Sequence, residues 1–217
     1  MPRNKPPFAK SFAYWLCGWL NGVLSAWPGG ALALVGPAGA GKTHLALAWA
    51  LEAGAREISP SATSDDAAAI FAASGGRILI DDADGPRDDD MFWRLLDLAR
   101  TQSGAVLLVG KGRPRLWETP LKDLGSRFAA LPVAGLGEPD EALLEVVLRR
   151  ICREKFIEMS EDTARYLAQR MPRTFAAAHD VAAALDQGLT KGARPVTLAG
   201  AKRALEKAQA GWSSQEG

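Results

Sequence analysis

The first two thirds of the chain alternate between short apolar runs and longer stretches whose apolar residues recur at helical spacing. Strands that are apolar along their whole length, and that are separated by helices, are typical of a parallel sheet covered by helices on both faces. We therefore predict an α/β domain with strands at residues 31–35, 56–58, 77–81, 105–109 and 128–133, and helices at residues 42–53, 65–73 and 88–100.

The pattern changes at residues 135–139, which read Gly-Leu-Gly-Glu-Pro, and only helical spacing follows. One helical segment begins with Ser160, Glu161 and Asp162, a favourable start because serine caps the helix and acids complement its N-terminal dipole. The sequence thus predicts a small all-helical domain after the α/β domain. Its helices are expected at residues 140–154, 160–169, 174–187 and 197–210.

An uncharged stretch near the N-terminus, residues 11–41, follows the basic residues Arg3, Lys5 and Lys10. This order is compatible with a signal peptide or a membrane anchor. However, Asn21, Pro28 and several glycines interrupt the run, so no clean apolar segment of about 18 residues remains. We predict instead a buried helix at residues 12–26 and a cytoplasmic protein, with a membrane-tethered form as the alternative.

Composition excludes several classes of protein. The 217 residues contain 26 Lys and Arg against 25 Asp and Glu, which argues against a polybasic nucleic-acid coat or an acidic tail protein. Cys17 and Cys152 are far apart, so neither a disulfide framework nor a zinc ribbon is expected. His44 and His179 have no third ligand at a metal-binding spacing, and we interpret them as packing or polar neighbours.

A complete phosphate-binding motif follows the strand predicted at residues 31–35. The segment reads Gly36, Pro37, Ala38, Gly39, Ala40, Gly41, Lys42 and Thr43, which fits G-x-x-x-x-G-K-[ST] between a strand and a helix. Glycines allow the loop's N–H groups to face phosphate oxygens, aided by the helix N-terminus. Lys42 would contact the outer phosphates and Thr43 would bind Mg²⁺, while His44 lies directly beside them.

A pair of acids ends the most apolar of the predicted strands. Asp81 is expected to hold Mg²⁺, and Asp82 to orient or activate the attacking water. Further acids follow at positions 84 and 88–90, but their spacing does not fit the ligand pattern of a calcium loop. We interpret Asp88, Asp89 and Asp90 as a solvated helix start, with calcium binding as the alternative.

The segment Gly41-Lys-Thr-His-Leu45, the acid pair and the helical C-terminal region resemble the AAA+ ATPases of the DnaA group. Within the group, the chain is most similar to the short alphaproteobacterial regulators of the Hda type, over about residues 27–208. The resemblance implies a P-loop AAA+ fold that binds ADP or ATP with Mg²⁺. It divides the chain into an N-terminal segment with a packing helix, a nucleotide-binding core, a helical lid domain and a tail (residues 1–30, 31–136, 137–211 and 212–217).

Two arginines match family motifs. Arg127, within Gly-Ser126-Arg-Phe128, matches the arginine finger that stabilises charge on a phosphoryl group held by a neighbouring subunit. Arg173, which follows Met171 and Pro172, matches the second sensor, an arginine of the lid that reaches the phosphates. The alternatives are an ordinary surface or helix-capping arginine at position 127 and a solvated arginine at position 173.

The sequence also departs from the family pattern. The first sensor, a polar residue at the end of the strand at residues 105–109, is missing, since the sequence there reads Val109-Gly110-Lys111-Gly112. We therefore expect slow or absent intrinsic ATP hydrolysis. No clamp-docking peptide is recognisable in residues 1–10, and no DNA-binding domain follows the lid, so sequence-specific DNA binding by this chain alone is not expected.

The resemblance favours a regulator that promotes hydrolysis of DnaA-bound ATP and restrains re-initiation of chromosome replication. Its implied partners are DnaA and the sliding clamp of the polymerase, and self-association through the AAA+ interface is a further expectation. The alternative is a helicase-loader or transposition-helper ATPase of the DnaC and IstB kind, which acts on single-stranded DNA with its own hydrolysis.

Overall fold

The structure is a computed structural model that describes residues 27–188 and 195–213. The described residues form two compact units, of which the first comprises residues 27–37 and 41–136 and the second residues 38–40, 137–188 and 195–213. The helix predicted at residues 12–26 lies outside the described residues. Across the described ranges, the structure contains no helix that is both long enough and apolar enough to cross a membrane.

The first unit is built on one parallel sheet of five strands in the order β2-β3-β4-β1-β5. Because all strands run in the same direction, their carboxyl ends meet at a single edge of the sheet, where ligands of open α/β sheets bind. The strands are β1 (Ala31–Val35), β2 (Arg56–Ile58), β3 (Arg77–Ile80), β4 (Ala105–Gly110) and β5 (Val133–Gly135).

Four helices connect these strands: α1 (Lys42–Ala53), α2 (Ser64–Ala73), α3 (Asp89–Thr101) and α4 (Lys122–Ala130). The prediction of a strand at residues 128–133 is wrong for all but its last residue, because α4 continues to Ala130 and the strand begins only at Val133. Leu124 and Phe128, one helical turn apart, are both buried, so helical packing decides the conformation there.

The sheet is buried on both faces, which confirms the predicted α/β class. On one face, Trp49 of α1 packs with Leu32 and Leu34, and its ring lies 5.7 Å from that of Trp27. On the other face, Phe92 of α3 and Phe128 of α4 pack with Ile78, Ile80 and neighbouring residues. Successive residues of the central strands β1, β3 and β4 therefore face opposite helical layers, which explains why these strands are apolar almost throughout.

From residue 137 onward, the regular structure of the described residues is all helical, as predicted. It contains α5 (Glu141–Glu154), α6 (Glu161–Ala168), α7 (Phe175–Gly188) and α8 (Leu198–Ser213) around one hydrophobic core. The predicted start of α6 is confirmed, since the Ser160 hydroxyl accepts a hydrogen bond from the N–H of Thr163. Asp140 caps α5 in the same way, through the N–H of Leu143.

Candidate nucleotide-binding site

The phosphate-binding motif forms the connection from β1 to α1, at the carboxyl edge of the sheet. Gly39 and Gly41 have φ angles of +74° and +81°, a region in which a side chain is strained. A β-carbon at Gly36 would lie 2.3 Å from the carbonyl oxygen of Leu136. These three glycines therefore meet specific backbone requirements of the loop.

The N-terminus of α1 has no side-chain cap among the described residues. Its first N–H groups are thus available to an anion, and the helix dipole favours negative charge at this end. Lys42 begins the helix, and its Nζ donates a 2.8 Å hydrogen bond to the carbonyl oxygen of Pro37. Thr43 and His44 are exposed in the same turn, whereas Ala40 is buried.

The acid pair lies at the same edge, immediately after β3. One strand, β4, separates β3 from β1, so Asp81 and the start of the phosphate loop are about 10 Å apart, two strand spacings. The N–H of Asp82 donates to Oδ1 of Asp81 at 2.9 Å. Asp82 has φ +51°, a left-handed conformation that is uncommon outside glycine and costs about 1 kcal/mol or more.

The end of β4, where the first sensor is expected, has no room for a side chain. A β-carbon at Gly110 would lie 2.7 Å from Cζ2 of Trp117 and 3.2 Å from Cγ of Asp84. Both neighbours are fixed by hydrogen bonds, since Trp117 Nε1 donates to the Gly112 carbonyl at 3.0 Å and Asp84 Oδ2 accepts from the Lys111 N–H at 2.8 Å. A sensor side chain at position 110 would therefore clash with Trp117 and Asp84.

A buried cation, Arg87, follows the acid pair and was not identified as a functional candidate from the sequence. Its side chain is only 6% exposed, and its Nε lies 2.8 Å from Oδ1 of Asp89.

The interpretation of the acids at the start of α3 as solvated is therefore wrong for Asp88 and Asp89. Asp88 caps α3 through the N–H of Met91 at 2.7 Å, Asp89 is bound to Arg87, and Asp90 alone is exposed. The one sequence signal for the buried ion pair of Arg87 is the position of this arginine directly before an acid-rich helix start.

Arg127 lies in α4 and is held by two groups of α3. Its Nη2 is 3.0 Å from Oδ1 of Asp97, and its guanidinium carbon lies 5.1 Å from the centre of the Trp93 ring. Arg100 contacts the same carboxylate at 3.2 Å. The hydrogen bonds from Arg127 and then Arg100 hold the pKa of Asp97 below its ordinary value. A quarter of the Arg127 side chain remains exposed.

Arg173 lies in the second unit, just before α7. Its Nη2 is 2.9 Å from Oε1 of Glu141 at the start of α5, and both side chains are about half exposed. His179 is also exposed, on α7. No group of three or more histidines, cysteines or acids within the described ranges is arranged to hold a metal ion by itself.

These residues fit a magnesium nucleotide in chemical terms. The uncapped N-terminus of α1 and the ammonium of Lys42 suit phosphate oxygens, and the glycine φ angles allow a loop that curls around them. The hydroxyl of Thr43 and the carboxylate of Asp81 are hard oxygen donors of the kind that Mg²⁺ prefers, with phosphate and water completing its shell.

No protein-family model and no curated protein matches the chain, but solved structures do. Domain III of the Thermotoga maritima replication initiation protein DnaA matches with a TM-score of 0.66 and 18% identity, over 94% of this chain and 93% of that one. The Thermotoga maritima RuvB Holliday junction branch migration motor matches with a TM-score of 0.69 and 21% identity, over 89% and 68%.

A longer relative is the replication initiator DnaA bound to AMPPCP and single-stranded DNA, with a TM-score of 0.59 and 18% identity over 84% of this chain. This chain spans 63% of that protein's length. DnaA and RuvB are AAA+ ATPases, and their likeness to this chain extends over both the sheet and the helical region. The chain therefore has the AAA+ fold, with a five-stranded parallel sheet and an all-helical C-terminal region.

Proposed function

We propose that this chain is a nucleotide-binding regulator that promotes hydrolysis of ATP bound to DnaA and thereby restrains re-initiation of replication. The observation that carries the proposal is the combination, at one sheet edge, of an uncapped helix N-terminus that carries a complete phosphate-binding motif with a strand end that excludes a sensor side chain. Such a site suits binding of a nucleotide as a structural ligand better than rapid turnover.

ADP or ATP is the expected ligand. Lys42 would neutralise the outer phosphates, the N–H groups at the start of α1 would bind their oxygens, and Thr43 with Asp81 would hold Mg²⁺. The bound cation would supply charge neutralisation for the phosphates. Asp82 would orient a water molecule beside them. With no side chain at Gly110 to complete that contact, we expect intrinsic hydrolysis to be slow or absent.

Arg127 is the proposed finger that acts on the nucleotide of DnaA. Its side chain is partly exposed and stacks on Trp93, an aromatic residue that is itself 36% exposed. Arginine and tryptophan are enriched at the energetic centres of protein interfaces, which supports a contact surface here. Arginine fingers accelerate phosphoryl transfer by roughly 10³ to 10⁵, so loss of this one side chain is a sensitive test.

Reconstitution with DnaA tests the proposal. Purified protein is added to DnaA carrying ATP, with and without the sliding clamp on DNA, and release of phosphate is measured. We expect stimulation by the natural chain and its loss in Arg127→Ala, with nucleotide binding intact. Arg100→Ala is the matched control, because it removes the other cation bound to Asp97 and should keep the stimulation. Stimulation that survives in Arg127→Ala would contradict the finger.

A helicase-loader or transposition-helper ATPase is the second candidate. It is favoured by three exposed cations, Lys111, Arg113 and Arg115, which have no side-chain partner in the described part of the chain. Nucleic-acid phosphates bind such clusters. Turnover of ATP by this protein alone, stimulated by single-stranded DNA and lost when these cations are replaced by alanine, would favour this function over the regulator.

A further inference from the structure

The guanidinium of Arg87 contacts two segments of the first unit that have separate roles in the proposed function. One is the acid loop, defined here as residues 81–86, which follows β3 and begins with Asp81 and Asp82. The other is α4, which carries Arg127, together with the connection before it. Arg87 contacts both, with its side chain nearly fully buried.

Contacts with the acid loop are made through the backbone. Nη1 of Arg87 donates to the carbonyl oxygens of Ala83 and Gly85, each at 3.3 Å. The N–H of Ala83 in turn donates to the Val109 carbonyl at 2.7 Å, so the loop is also bound to the end of β4. The acceptors of the Arg87 guanidinium therefore lie one and three residues after Asp82, in a loop that is also bound to β4.

Contacts with α4 are made through its connection and its buried face. Nη2 of Arg87 donates to the carbonyl oxygen of Glu118. Its partner Asp89 accepts at 2.7 Å from the hydroxyl of Thr119, and that hydroxyl accepts from the N–H of Leu121, which directly precedes the helix.

The ring of Phe128 completes this set of contacts. Its centre lies 5.1 Å from the Arg87 guanidinium carbon, a cation–π distance. Phe128 is the neighbour of Arg127 in sequence. Arg87 therefore contacts the residue adjacent to the proposed finger and two backbone carbonyls of the acid loop.

We infer that Arg87 is a positioning residue that couples the acid loop to the orientation of α4, the helix that carries Arg127. A nucleotide bound at the phosphate loop then changes the orientation of the Arg127 side chain. The inference rests on the proposed function, because it concerns the same nucleotide and the same arginine. A planar guanidinium with several donors and a stacking face is suited to this role, and a lysine ammonium cannot make the same set of contacts.

Side-chain NMR of ¹⁵N-labelled full-length protein tests the coupling without any activity assay. The Nε–H resonance of Arg127 is assigned by its loss in Arg127→Lys. We expect Mg²⁺ with ADP to shift this resonance in the natural chain. In Arg87→Lys, ADP affinity should be retained while most of the shift disappears. Arg94→Lys, an exposed arginine of α3, is the matched control and should keep the full shift.

A second variant covers the case in which Arg87→Lys fails to fold. In Arg87→Met/Asp89→Asn, both charges of the pair are removed together, so no uncompensated charge stays buried. This variant should likewise bind ADP without the shift at Arg127. A shift of the Arg127 resonance that persists in either folded variant would overturn the inference. The inference would also be overturned if ADP binds the natural chain and the Arg127 resonance does not shift. If neither ADP nor ATP binds the natural chain, the proposed function fails, and the inference with it.

Discussion

At the scale of single residues, Asp97 is a shared acceptor for two arginines. Arg127 reaches it from α4 and Arg100 from within α3, and their hydrogen bonds lower its pKa. A carboxyl group whose pKa is lower in the folded state stabilises the fold above its ordinary pKa, and that stabilisation is lost as the pH falls through the folded pKa. The ion pair with Arg127 thus persists throughout the neutral range.

The pKa of Asp97 is therefore a measure of how firmly Arg127 is held. Because the hydrogen bond from Arg127 is the largest cause of the shift, Arg127→Ala should move the pKa of Asp97 back toward its ordinary value, and by more than Arg100→Ala does. The side-chain carboxyl ¹³C resonance of Asp97, followed against pH, measures both effects. An equal response to the two substitutions would contradict the geometry described for Arg127.

Cys152 is a second residue whose protonation is set by its surroundings. It is fully buried in α5, and burial raises its pKa from 9.0 to about 11. The neutral thiol is favoured in the folded state, so this contribution to stability is present below pH 9 and declines as the pH rises toward 11.

In a Cys17→Ser background, Cys152 should react with iodoacetamide only at the rate at which the helical unit opens, even at pH 9. Reaction followed by mass spectrometry in native and in denaturing buffer checks this expectation. The denatured chain is its own control, because there the same thiol is exposed. Rapid labelling of the native protein would contradict the burial of Cys152.

At the scale of elements, the end of β4 is determined by its neighbours. Gly110→Asn would place a side chain against Trp117 and Asp84, and overpacking of this kind costs about 1–3 kcal/mol. We therefore expect lower stability and no gain of ATP hydrolysis. Gly112→Asn is the matched control, since a β-carbon there meets no atom within 4 Å. Chemical denaturation of both variants gives the comparison, and equal stabilities would refute the packing argument.

Three strands, β1, β3 and β4, were predictable because they are apolar runs bounded by glycine or acids, and the short β2 lies between two helical stretches. The fifth strand was misplaced because residues 128–133 are all apolar, so their spacing does not distinguish a helix from a strand. The contacts of Phe128 with α3 and Trp117 select the helix. The phosphate loop was predictable because its chemistry requires adjacent residues. Arg87 was not, because its partners Glu118 and Phe128 lie far along the chain.

At the scale of the whole molecule, a bound nucleotide should appear as added stability. A ligand that binds only the folded state contributes RT ln(1 + [L]/Kd), about 2.7 kcal/mol at one hundred times Kd. Mg²⁺ with ADP should thus raise the unfolding midpoint of the natural chain. Lys42→Ala should lose this increase, because the ammonium beside the phosphates is removed, while its midpoint without ligand stays close to that of the natural chain.

Lys122→Ala is the control for that comparison, as it removes an exposed lysine from the start of α4. Thermal or urea unfolding with and without ligand gives the measurement. An undiminished stabilisation of Lys42→Ala would remove the phosphate loop as the binding site.

The positions of the tryptophans determine which part of the chain contributes tryptophan bands to the near-ultraviolet circular dichroism spectrum. Trp27 and Trp49 are buried within 5.7 Å of each other in the first unit, whereas Trp212 is the one tryptophan that the sequence holds beyond position 117. Closely spaced indoles couple electronically, and rigid burial gives them intense near-ultraviolet circular dichroism. Exchange of Trp212 for phenylalanine would therefore confine the tryptophan bands of the spectrum to residues 1–117, without any attached dye.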